Sequence, residues 1–296
     1  MVGACAVALV TVVAAAAPAA AAPSTGLPAQ SYVALGDSYA SGPLIPLQTG
    51  LPAGCLRSNR NYPSLVAETI GVPAFRDVSC SGATTDNLAA SQSVLFGVNP
   101  PQFDALSADT DLVTITMGGN DIGFASIINE CAVRSPRQPF GEACKDFFTA
   151  GGTDQLAARI DATAPKIEAA LDGIQQRSPD ARVLLAGYPA ILPDTGPGCF
   201  PTVPFSPGDV AYLRDTEKRL NAMLADEADA AGVNYVDTYT PTIGHDACQP
   251  PGKKWIEGLA PTSPAAPVHP NALGMIAIAG AVVEALADQN VLATGA

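Results

Sequence analysis

The sequence of 296 residues has little positive charge, with 15 Lys+Arg against 28 Asp+Glu, and only two histidines. The resulting formal charge of -13 repels nucleic acid and anionic membranes at long range. No basic run offsets it, so neither is expected as a partner. No C-x-x-C pair occurs, and two histidines make a poor zinc site, so no metal and no cofactor is expected. Also missing are any internal repeat and any linker long enough to divide the chain. One domain is the expectation.

What is present starts with a leader. Met1 to Ala22 is apolar, rich in Ala and Val, and ends in small residues before Pro23. Residues 1–22 therefore read as a signal peptide cleaved near 20–24, although the usual basic n-region is missing. No flanking charge or stop-transfer pattern makes the segment a stable membrane anchor. A secreted, extracellular protein is expected. Setting aside Cys5 in the leader leaves Cys55, Cys80, Cys131, Cys144, Cys199 and Cys248, an even set that after export reads as three disulfides. Several pairings are open. Sequential pairing would close three loops, each worth roughly 3–4 kcal/mol in the chain-entropy picture.

The rest alternates between strand-like and helix-like stretches and is 48% hydrophobic, enough for a sizeable core. Short apolar runs at 32–36, 74–79, 111–117, 181–187 and 233–237 are bounded by Gly, Pro or Asp, as strands buried on both faces should be. Leu156, Ile160, Ile167, Leu171 and Ile174 share a helical face, and Pro165 is expected to split or kink that region into two helices. Further helices are expected at about 208–231 and at 270–288, the latter with Pro270 in its first turn. Strand alternating with helix implies α/β architecture: five parallel strands flanked by helices on both faces.

In such a sheet ligands bind beyond the carboxyl ends of the strands. The stretch YVALGDSYASG (32–42) puts Ser38 at one such end. Gly82 in CSGATTDN (80–87) and Asn120 in GGND (118–121) follow two more strands, and His269 in HPNALG (269–274) precedes the last helix. Each fragment alone could be a turn or a helix cap. Four polar groups from four distant segments, converging on one edge, point instead to a reaction site.

The order G-D-S, S-G-A, G-G-N-D and a C-terminal H-P resembles the SGNH/GDSL hydrolase superfamily. Within it, the chain is most similar to secreted actinobacterial lipases, esterases and phospholipases with three disulfides. The resemblance spans about 31–288, implying a hydrolase domain over 31–290, and includes GHDAC (244–248) and Trp255. It implies a flavodoxin-like fold, a monomer, and sequential disulfides Cys55–Cys80, Cys131–Cys144 and Cys199–Cys248. It further implies Ser38 as nucleophile, His269 as general base, and an oxyanion hole from the Ser38 and Gly82 N–H groups with the Asn120 amide. The substrate would be an acyl ester or lipid. An esterase deacetylating polysaccharide and a non-catalytic secreted binding protein are the alternatives. Many members carry an Asp three residues before the histidine, where this chain has Ala266. The resemblance then implies a Ser–His dyad oriented by the main-chain carbonyl of Pro267 or Ala266, unless Asp246 or Glu257 reaches in from a loop. Asp37 would brace the turn, and His245 would be structural. Leu44, Ile45, Leu47, Phe124, Ile127, Phe200, Phe205 and Trp255 could line an acyl channel.

Overall fold

The structure is a computed structural model that describes residues 29–294. The expected signal segment lies outside the described residues. Strands β1 (Ser31–Gly36) and β2 (Ala74–Asp77) precede a two-stranded hairpin, β3 (Gln92–Val94) and β4 (Gly97–Asn99). Then come β5 (Leu112–Thr116), β6 (Arg182–Ala186) and β7 (Asn234–Val236). The main sheet runs β2-β1-β5-β6-β7, with every neighbour parallel.

Among the described residues, eight α-helices cover the sheet or follow its strand ends: α1 (Ser38–Ser41), α2 (Tyr62–Ile70), α3 (Asp86–Ala89), α4 (Phe124–Arg134), α5 (Ala143–Thr149), α6 (Gln155–Arg177), α7 (Pro207–Ala230) and α8 (Ala272–Thr294). Alternate residues of β1 feed two separate cores. Tyr32 and Ala34 pack with Val66 of α2 and Ile278 of α8. Val33 and Leu35 pack with Ile167 of α6 and Leu224 of α7. Burial on both faces explains why β1 and β5 read as continuous apolar runs. Edge strand β2 carries Arg76 exposed and is only half-covered.

Two local expectations fail. Pro165 does not divide its region, because α6 runs unbroken through it. The proline is exposed, so the carbonyl it leaves unbonded faces water, while Ile160, Thr163, Ile167 and Ala170 hold both halves to the core. Pro270 lies ahead of α8 rather than in its first turn. Asn271 caps that helix instead, its side-chain oxygen accepting from the N–H groups of Leu273 and Gly274.

The disulfides join Cys55 to Cys80, Cys131 to Cys144 and Cys199 to Cys248. The first ties the segment after α1 to the turn after β2, at the edge where the candidate residues gather.

Candidate active site

The strand order reverses between β1 and β5, and the chain leaves these two neighbours in opposite directions, opening a crevice at their carboxyl ends. Gly36 ends β1 because nothing larger fits. At φ 146°, an added Cβ would lie 2.7 Å from the Ala40 Cβ and 2.8 Å from the Thr116 carbonyl oxygen. Asp37 then caps the single turn of α1, its carboxylate accepting the Tyr39 N–H at 2.8 Å. This places Ser38, almost fully buried, at the first position of that turn.

Ser38 Oγ lies 2.7 Å from Nε2 of His269, across 231 positions of sequence. The other ring nitrogen, Nδ1, lies 2.7 Å from the carbonyl oxygen of Pro267. A carbonyl can only accept, so Nδ1 carries the hydrogen and Nε2 is left as the acceptor for the serine hydroxyl. The Ala266 carbonyl is occupied elsewhere, by the main-chain N–H of His269. Burial lowers the pKa of His269 below its ordinary value, and the Pro267 carbonyl only partly opposes this.

Neither alternative carboxylate reaches the histidine. Asp246 accepts from the Cys248 N–H and the Gln249 amide within its own loop. Glu257 pairs with Lys254 at 3.0 Å, both side chains buried, and also accepts from the Thr262 N–H and the Asn271 side chain. Burial pushes the Glu257 carboxyl up, but these donors outweigh it and leave it below the ordinary value. Its contribution to the site is indirect: its backbone N–H donates to the His269 carbonyl at 2.9 Å.

Asn120 and Gly82 come from the loops after β5 and β2, which are bolted together. Asn120 donates to the Ala83 carbonyl at 2.8 Å, and Thr85 donates to Asp121 through both its N–H and its hydroxyl. Among the described residues, no acceptor takes the backbone N–H of Ser38 or of Gly82. His245 is elsewhere, stacked on Trp255 with ring centroids 3.5 Å apart and its Nδ1 against the Lys253 carbonyl.

A model of the GDSL-like lipase/acylhydrolase family matches residues 34–276. The chain belongs to that family. This GDSL hydrolase is 42% identical over 258 residues to Lipase 2 of Streptomyces coelicolor, covering 85% of this chain and 84% of that one. It is 31% identical to the lipase of Streptomyces rimosus, over 78% and 77% of the two chains. Two solved structures superpose with TM-scores of 0.73: an extracellular lipase from Streptomyces rimosus, 30% identical, and phospholipase A1 from Streptomyces albidoflavus, 26% identical. Each covers 86% of this chain and 99% of its own. The chain is thus a carboxylic ester hydrolase of lipase or esterase type. Among the described residues, no helix is long and apolar enough to cross a membrane.

Beside the serine of this GDSL hydrolase lies an apolar pocket lined in part by Ser38, Asn120, Phe124, Ile127, Ile191 and Leu213. Of the residues expected to form it, only Phe124 and Ile127 do so. Leu44 and Leu47 point to solvent, and Phe200 is partly exposed. Ile45 packs in the core beneath α2 and α8, Phe205 is buried in the opposite core, and Trp255 serves His245.

Sequence reasoning also missed four residues. Tyr188, just past β6, donates to Asp37 at 2.7 Å and accepts the Gly119 N–H at 2.7 Å, so it joins the serine turn to the asparagine loop. Its position beyond a strand end was the available signal. Burial raises the Asp37 carboxyl to about 7 against these hydrogen bonds. Tyr39 donates to the Val268 carbonyl at 2.7 Å and packs its ring on His269, with centroids 4.9 Å apart. Val268 itself sits at φ 60°, a left-handed conformation that a β-branched residue adopts only under constraint. Glu217 lines the pocket and accepts the Ile191 N–H, and burial holds its carboxyl well above the ordinary value.

Proposed function

We propose that the chain is exported and hydrolyses acyl esters, lipid esters among them, as a monomer through a covalent acyl-enzyme on Ser38. His269 Nε2 takes the hydroxyl proton as Oγ bonds to the ester carbonyl carbon, and the carbonyl oxygen becomes an oxyanion. The N–H groups of Ser38 and Gly82 and the amide of Asn120 stabilise that charge. The C–O bond to the alcohol then breaks, with His269 returning the proton to the leaving oxygen. Water, activated by the same nitrogen, attacks the acyl-enzyme and releases the acid and free Ser38.

The observation that carries this reading is the imidazole bridging two oxygens at 2.7 Å, the Ser38 hydroxyl on one side and the Pro267 carbonyl on the other. It is the hydrogen-bond geometry that nucleophilic catalysis by serine requires, without a carboxylate. The apolar pocket beside Ser38 favours acyl chains longer than acetyl over sugar acetates. Because the phospholipase A1 relative is 26% identical, phospholipid esters belong in the substrate panel.

The test is a rate series over p-nitrophenyl esters from acetyl to palmitoyl, with a phospholipid in parallel. Wild type should turn over medium chains best. Ser38→Ala and His269→Ala should each lose most activity, while His245→Ala keeps the bulk of it. Retained activity in Ser38→Ala, with the protein folded, would overturn the assignment.

A further inference from the structure

Two stretches of this acidic chain carry no charged residue: 38–56, between Asp37 and Arg57, and 87–103, between Asp86 and Asp104. The fold presses them together. A Cβ at Gly54 would lie 2.2 Å from the Leu95 carbonyl oxygen, and one at Gly97 would lie 2.8 Å from the Pro52 Cβ. The tip of the β3–β4 hairpin thus rests on the loop around 51–55. The shared surface is apolar and open: Leu51 is 85% exposed, Leu95 70%, Phe96 84% and Val98 58%.

Packing does not account for the residues at the tip. Val94 pairs with Gly97, which leaves Leu95 and Phe96 as a two-residue turn. Such turns favour Asn-Gly or Gly-rich pairs, because they need positive φ. Here Phe96 occupies φ 62°, a position at which an aromatic side chain is strained. A large side chain held there with most of its surface in water adds little to the folded domain.

The patch is also fastened to the reaction site. Gln92, at the foot of the hairpin, donates to the Ser81 carbonyl at 2.9 Å, next to Gly82. The Cys55–Cys80 disulfide ties the 51–55 segment to the same turn.

We propose that Leu51, Leu95, Phe96 and Val98 form a docking surface for a zwitterionic phospholipid interface, with Leu95 and Phe96 inserting between headgroups. A protein of net charge -13 is repelled by anionic lipid. An uncharged apolar knob lets it meet a zwitterionic surface without bringing an exposed charged side chain to it, beside the residues proposed to receive the ester. The purpose of the surface rests on the lipid-ester reading above; the binding does not.

The experiment is flotation with phosphatidylcholine vesicles, with phosphatidylglycerol vesicles in parallel, on wild type and on Leu95→Ser/Phe96→Gly. Glycine accepts the positive φ at 96, so the hairpin should still form. Wild type should float with phosphatidylcholine, and the variant should lose about tenfold or more in bound fraction, since two apolar side chains no longer leave water. Both should hydrolyse soluble p-nitrophenyl butyrate at rates within about twofold of each other, and both should sediment as monomers. No flotation of wild type, equal flotation of the variant, or tighter binding to phosphatidylglycerol would overturn the proposal. So would a wild-type dimer that the variant dissolves, since the patch would then serve a second copy of the chain. Failure of butyrate hydrolysis by wild type would instead overturn the ester reading, and the flotation result would still decide the docking surface.

Discussion

Glu257→Gln separates a histidine oriented by a carbonyl from one oriented by a hidden carboxylate. The Glu257 side chain is fully buried and Lys254 nearly so, 3.0 Å apart. Glutamine keeps the shape and can still accept from Thr262 or Asn271, but it leaves the Lys254 ammonium buried without its counter-charge. Removing one partner of a buried pair costs about 3–5 kcal/mol. In a domain of this size 1 kcal/mol moves Tm by roughly 2–4 °C, so Tm should fall by about 6–20 °C. Because the Glu257 carboxyl sits below its ordinary pKa, its stabilisation is present above that ordinary value and is lost as pH falls through the lowered one. The Tm gap between wild type and variant should therefore narrow in acid. Activity responds differently. Nδ1 of His269 faces Pro267 and not Glu257, so kcat measured well below the variant's Tm should stay within about tenfold of wild type. The assays are calorimetry and ester hydrolysis on the same preparation. A folded variant whose kcat drops near 10⁴-fold, the loss that follows when a triad carboxylate is neutralised, would refute the carbonyl-oriented dyad.

Asn120→Ala should lower kcat by about 10²–10³ with the fold intact, as the loss of one oxyanion donor does; a change under threefold would misplace Asn120. The acid limb of kcat/KM should fall at a pH below the ordinary histidine value of about 6.5, because burial lowers the pKa of His269 and only its neutral form can accept the serine proton. A limb at or above that value would contradict the burial argument. Asp37 works in the opposite direction: its folded value of about 7 lies above its unfolded value of about 3.9, so stability falls as pH rises between the two. The difference is worth about 4 kcal/mol, and Asp37→Asn should flatten the Tm profile over that window, whatever it does to catalysis.

The sheet was readable because strands buried on both faces leave unbroken apolar runs, and β1 and β5 do so. The convergence of Ser38, Gly82, Asn120 and His269 at the strand ends was readable for a related reason: tight turns there leave Gly, Asp and Asn in clusters. Other parts leave no such trace. Pro165 misled because breaking a helix depends on which face the proline takes, and here that face is water. The hairpin escaped notice because its strands are three residues long and its turn is Leu-Phe. The pocket lining was misread because an apolar residue near an active edge has several places to go: Phe205 went to the core, Trp255 to His245 and Leu47 to solvent. The Tyr39–Val268 contact spans 229 positions, and nothing local to either residue announces it.

The central claim is that Ser38 is the nucleophile and that His269 makes it one. Labelling with a fluorophosphonate, followed by peptide mass spectrometry, tests it most directly, because the adduct forms only on an activated hydroxyl. One label per chain is expected, on the peptide containing Ser38, with the rate falling at least about a hundredfold in His269→Ala. A label on any other residue, or labelling of Ser38 at the same rate without His269, would contradict the account.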